Sequence, residues 1–135
     1  MKVLLDTNVI FSAFAARGLA HAVFELCLEK HTILISETIL SELSSHLIKK
    51  LKIPQEGVHL IIDFLRESCF LGEVAFVNNT ACRDKKDVHL LGLAEKIRPE
   101  FIVTGDEDLL VLKQYKNTLI VNPREFWEKE KKRNK

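Results

Sequence analysis

The stretch Lys2-Val3-Leu4-Leu5-Asp6-Thr7-Asn8 decides how the rest of the chain is read. Three apolar residues in succession, with no polar alternation, suit a strand covered on both faces, as in the middle of a parallel sheet. Such sheets bind ligands beyond the C-terminal ends of their strands, so Asp6 is expected at the mouth of the sheet, beside two short polar side chains. A plainer reading is also open. Asp and Asn are favoured caps, and Asp6 and Asn8 would then serve only to start the helix that follows.

Outward from this stretch, Val9 to Ala16 reads as a short apolar helix and Arg17-Gly18 as a break, after which Leu19, Val23, Leu26 and Cys27 recur at helical spacing. Ile33-Leu34-Ile35 is a second strand. Ser36 is placed to cap a long helix striped by Ile39, Leu40, Leu43, Leu47, Ile48 and Leu51, and Pro54 opens another through Val58, Ile61, Ile62, Leu65 and Cys69, so the two form a helical hairpin. Gly72 to Val77 is a third extended piece at a sheet edge, with turn chemistry at Asn78-Asn79-Thr80. Asp87, Leu90, Leu91, Ala94 and Ile97 then share one helix face. Phe101 to Thr104 is another buried strand, Gly105 turns the chain into Asp106-Glu107-Asp108, and Thr118 to Val121 is the last strand. A helix from Asn122-Pro123 closes the chain, with Lys129 to Lys135 read as its frayed end. Strands alternating with helices throughout predict an α/β fold, a three-layer α/β/α sandwich with a central parallel sheet and right-handed crossovers.

Length and composition narrow the classes. At 135 residues and 47% hydrophobic content, residues 1–135 are expected to form one domain with a core large enough to fold unaided. No apolar stretch approaches the roughly 18 residues of a membrane span, so neither a membrane segment nor a signal peptide is expected. Three cysteines, Cys27, Cys69 and Cys82, without C-x-x-C spacing argue against a disulfide framework or a zinc site and fit a reducing cytoplasm. With 20 basic and 19 acidic residues, any contact with nucleic acid would depend on where charges lie and not on their sum.

The acids carry the chemistry. Two apolar strands each end in aspartate, Asp6 and, past Thr104-Gly105, Asp106; Asp87 begins a helix on its core-facing side. Carboxylates gathered in one low-dielectric cleft repel each other, which protonation or a hard cation relieves. Mg²⁺ or Mn²⁺ is the fitting ion, since both prefer oxygen ligands and retain waters, and such a site suits phosphodiester hydrolysis. Helical periodicity does not by itself choose between Glu37 and Glu42 as a fourth acid.

Four motifs in this order, Leu5-Asp6-Thr7-Asn8-Val9, Ser36-Glu37-Thr38-Ile39-Leu40-Ser41-Glu42-Leu43, Arg83-Asp84-Lys85-Lys86-Asp87 and Val103-Thr104-Gly105-Asp106-Glu107-Asp108-Leu109-Leu110, resemble a PIN domain over essentially the whole chain. The likeness is closest to the small prokaryotic PIN proteins of toxin–antitoxin pairs. It implies a Mg²⁺- or Mn²⁺-dependent endoribonuclease in which Asp6, Glu42, Asp87 and Asp106 form an acidic quartet. Asn8 and Thr104 would be supporting groups, and Asp108 a further metal ligand or a cap acid. Glu42 is taken because it matches the motif; Glu37, in a first helical turn, has a local reason to be acidic. Many relatives carry another acid directly after the third one, where this chain has Val88, which leaves any metal contact from that position in doubt.

RNA would need cations near the acids. Lys85 and Lys86 abut Asp87 in sequence, Arg17 and Arg83 are further candidates, and a solvated surface role is the alternative for each. The resemblance also implies an antitoxin that places a basic side chain among the acids, and a homodimer for which the hairpin Ser36 to Cys69 is a reasonable surface. Two rivals are weighed. A haloacid-dehalogenase-like phosphohydrolase needs a second aspartate two residues after the first, where Asn8 stands, and a non-catalytic PIN module would be expected to have lost acids of the quartet, all of which are present.

Overall fold

A computed structural model describes residues 1–72 and 85–133, with side chains in the second segment from Val88 onward. The expected extended piece at Gly72 to Val77, except Gly72 itself, lies outside the described residues, as do the Asn78-Asn79-Thr80 turn, Cys82, Arg83, Asp84 and the side chains of Lys85, Lys86 and Asp87.

In chain order the elements are β1 (Lys2–Leu5), α1 (Thr7–Ala15), α2 (Leu19–Lys30), β2 (Thr32–Ile35), α3 (Glu37–Leu51), α4 (Gln55–Ser68), β3 (Phe70–Leu71), α5 (Lys85–Ile97), β4 (Phe101–Val103), α6 (Glu107–Leu110), β5 (Gln114–Tyr115), β6 (Thr118–Val121) and α7 (Pro123–Arg133). The six strands are ordered β3-β2-β1-β4-β6-β5, and every pairing is parallel except β5 with β6. The fold is an α/β arrangement with a mostly parallel central sheet flanked by helices, as the alternation of elements predicts.

Val3, Leu4 and Leu5 have no exposed surface, which explains the unbroken apolar run: β1 is flanked in the sheet by β2 and β4 and is covered on both faces. In register, Val3 stands opposite Ile33 on one side and Phe101 on the other. Helix α1 packs against α2 and α3, α3 against α4, and α2 against α7. Chain order runs from β1 through β2 to β3 at one edge, then crosses back to β4 on the other side of β1. The β1/β4 boundary is therefore a topological switch point, the place where open α/β sheets form a crevice at their strand ends.

Two short strands were not expected. Among the described residues the first is the two-residue β3, just before Gly72, and its two side chains are half-exposed. Gly72 follows it in a tight place, where an added Cβ would lie 2.9 Å from Leu34 Cδ1. The sheet also gains β5, an antiparallel edge strand that no apolar pattern announces. The frayed end expected at Lys129 to Lys135 is instead helical to Arg133, because Glu130 is buried and hydrogen-bonds His31 Nε2 at the far side of α2. Among the described residues no single helix is long and apolar enough to cross a membrane.

Candidate active site

Asp6 occupies the N-cap position of α1, yet its side chain makes no capping bond there. The carboxylate turns instead to the neighbouring strand: Thr104, fully buried at the end of β4, donates its hydroxyl to Asp6 Oδ2 at 2.7 Å. The cap reading of Asp6 therefore does not account for its side chain. The backbone fixes the same junction, with Asp6 N donating to Val103 O at 3.0 Å and Thr104 N donating to Val121 O at 2.9 Å. Thr104 Oγ1 also accepts from Asp106 N at 3.0 Å, so one hydroxyl holds both strand-end aspartates in place. Asp106 in turn caps the short α6, its Oδ1 accepting from Asp108 N at 2.9 Å.

Electrostatics show which acids share the mouth. Burial pushes the Asp6 carboxyl above the ordinary carboxylate range; the Thr104 hydroxyl and the Thr7 backbone pull it down, and the charges of Asp106 and Glu42 push it up again. Asp6, Glu42 and Asp106 are thus one interacting group. Glu37 stands apart: it is exposed, and its carboxylate pairs with Arg66, whose Nη2 donates to Oε2 at 2.9 Å. Of the two acids between which helical periodicity did not choose, Glu42 faces Asp6 electrostatically and Glu37 faces α4.

The remaining expected residues fall as follows. Asn8 is exposed in the first turn of α1, Asp108 is exposed in α6, and Asp87 lies in the first turn of α5 with its side chain outside the described residues. Arg17 is exposed just beyond the C-terminal end of α1, whose N-cap is Asp6. Phe11 and Phe14 are half-buried against the core: Phe14 lies 5.4 Å from Phe24, and Phe11 packs against His46 with Lys50 Nζ 5.4 Å from its ring centre.

His89 belongs to no spaced metal motif in the sequence and is not among the expected site residues. Its Nε2 lies 2.7 Å from Ser36 Oγ, the hydroxyl that caps α3 by accepting from Ile39 N. Burial lowers the His89 pKa, and the charge of Glu42 opposes that shift, so the imidazole also borders the acidic mouth. A signal was present in its position two residues after Asp87, in the half of α5 that carries Leu90 and Leu91.

The donor set is oxygen only, with the charges of Asp106 and Glu42 raising the proton affinity of Asp6, and this chemistry fits a hard divalent cation. Among the described residues, no three His, Cys, Asp or Glu side chains are gathered closely enough to hold an ion by themselves.

A family model for the PIN domain matches residues 2–108, which carry β1 and the Asp6, Glu42, Asp87, Thr104 and Asp106 positions. The chain belongs to the PIN domain family. Among solved structures, this PIN chain is similar to VapBC2 from Rickettsia felis bound to a DNA fragment from their promoter, with 19% identity, a TM-score of 0.62, and coverage of 90% of this chain and 98% of that one. VapBC-1 from nontypeable Haemophilus influenzae gives 16% identity and a TM-score of 0.62 over 92% of this chain and 99% of that one. FitAcB from Neisseria gonorrhoeae gives 15%, 0.56, 90% and 98%. No curated protein matches the chain in sequence. At these identities the likeness establishes the PIN fold.

Proposed function

We propose that the chain is a Mg²⁺- or Mn²⁺-dependent endoribonuclease and the toxin component of a toxin–antitoxin pair. The observation that carries this reading is the single hydroxyl of Thr104 holding Asp6 and the Asp106 backbone together while the charges of Asp106 and Glu42 both press on Asp6. Carboxylates fixed in mutual repulsion by buried hydrogen bonds are prepared for a cation, since little reorganisation is needed when it arrives.

Asp6, Glu42, Asp87 and Asp106 would hold the ion, with Asp108 beside them. When bound, the ion lowers the pKa of a coordinated water and stabilises negative charge on a phosphate. The protein's own part is orientation. Thr104 locks the Asp6 carboxylate, the Asp108 amide locks that of Asp106, and Asn8 at the start of α1 offers an amide to a phosphate oxygen. Lys85, Lys86 and Arg83 supply cations next to Asp87 in sequence for the RNA backbone. Arg17, at the far end of α1, would reach only a strand that extends along that helix.

The likeness to the VapBC structures supports an antitoxin as partner, and the cytoplasm is the proposed place of action. A homodimer is supported by the outer face of α4, where Leu60 and Phe64, one turn apart, are 72% and 44% exposed. The test is cleavage of a labelled single-stranded RNA by the purified chain with Mg²⁺ or Mn²⁺, alongside EDTA and Asp6→Asn. Cutting that requires both the ion and Asp6 is expected. Equal cutting by wild type and variant would sink the proposal, and RNA or peptide binding without cutting would put a non-catalytic module in its place.

A further inference from the structure

The four expected acids are carried by two kinds of element. Asp6 and Asp106 follow β1 and β4, which pair directly, so the sheet sets their relative position. Glu42 and Asp87 ride on α3 and α5, and no strand pairing joins those two helices. A side-chain bond does: Ser36 Oγ, at the cap of α3, lies 2.7 Å from His89 Nε2 near the start of α5. Ser36 is 2% exposed, and its oxygen also receives the Ile39 amide at 3.2 Å, so the hydroxyl has a fixed orientation from which to meet the imidazole. An oxygen with two lone pairs and one proton satisfies both contacts at once. His89 is itself half-buried, and its ring on α5 meets the cap of the helix that carries Glu42.

We propose that His89 is a positioning residue: its bond to Ser36 fastens the start of α5 to the cap of α3, fixes Asp87 relative to Glu42, and thereby sets the affinity of the mouth for a divalent cation. This rests on the metal-dependent reading above. Residues that orient metal ligands through hydrogen bonds typically contribute about 10–100-fold to metal affinity, although they never touch the ion.

The experiment is Mn²⁺ binding to the purified chain, followed by calorimetry and by the EPR signal of free Mn²⁺, with thermal unfolding in EDTA measured in parallel. His89→Leu removes the bond while filling the space with an apolar group, and Ser36→Gly removes it from the other side while leaving a residue that caps nearly as well. Each is expected to weaken Mn²⁺ binding about tenfold, the double variant no further, and His89→Gln, which returns a side-chain amide to the same reach, to recover most of it. Wild-type affinity in both His89→Leu and Ser36→Gly would overturn the proposal, whatever their melting temperatures. Failure of the wild type to bind Mn²⁺ would overturn the metal-dependent reading itself and this inference with it.

Discussion

Thr104→Val tests the junction on which the site depends. The substitution keeps the size and branching of a fully buried side chain and deletes one hydroxyl that serves two aspartates. A hydrogen bond to a charged carboxylate contributes about 1.5–3 kcal/mol, and leaving the part-buried Asp106 amide without its acceptor costs about 1 kcal/mol more, so the expected loss is about 3 kcal/mol. At about 2.1 cal/mol/K of unfolding entropy per residue, 135 residues convert this to a drop of about 10 °C in Tm. Thr104→Ser keeps the hydroxyl and loses a methyl, at about 1 kcal/mol. Thermal unfolding by circular dichroism in EDTA near neutral pH should therefore rank wild type above Ser and Ser well above Val. The pH dependence gives a second check. The hydroxyl favours ionised Asp6, so its full contribution is present above the raised folded-state pKa and falls as pH drops through it. Near pH 3.8, the ordinary carboxyl value, Asp6 is largely protonated and the gap between wild type and Val should narrow. A Val variant as stable as Ser at neutral pH, or a gap indifferent to pH, would refute the reasoning.

Asp6→Asn should raise Tm in EDTA near neutral pH: with the folded-state pKa above the unfolded one, ionising Asp6 as pH rises costs stability, and the amide escapes that cost. The same variant should gain no Tm from added Mn²⁺ where wild type does, which a paired melt in EDTA and Mn²⁺ checks. Glu130→Ala should lower stability by about 3 kcal/mol, read by urea unfolding, because it strips the partner from His31 in a contact whose side chains are only 5% and 8% exposed. Cys27 has no exposed surface and its thiol is pushed up to about 12 by burial, so a thiol reagent at mildly alkaline pH should label it only through unfolding, at a rate that rises with denaturant.

Much of the architecture was readable because β1, β2 and β4 are apolar triplets with no exposed surface to speak of, each bounded by a cap or a turn: Asp6 after the first, Ser36 after the second, Gly105 just beyond the third. What was not readable is defined by pairing. β3 and β5 are two residues each, too short for a period to show, and exist because β2 and β6 offer open edges. The turn between β5 and β6 hides its signal too, since Lys116 takes a positive φ of 53°, where Gly or Asn is the usual marker. Glu130 reads as one more charge in a charged tail, and only its contact with His31, 99 positions away, makes it a buried anchor. At the mouth, Asp6 and Asp106 were legible from strand ends, whereas Glu42 was legible only through the motif it matches: on its own helix it is off the apolar stripe, and what it faces comes from the ends of β1 and α5.

The hydroxyl that joins Thr104 to Asp6 spans 98 positions of the chain. On a ribosome adding about 5–20 residues per second, roughly 5–20 s pass between synthesis of the first aspartate and of the residue that orients it. During that interval Asp6 has neither its hydrogen-bond donor nor Asp106 beside it, and no fragment ending before β4 can assemble the pair. Because long-range contacts form only after the intervening loop has been closed, the acidic mouth is a late product of folding, and synthesis interrupted part-way leaves it unmade.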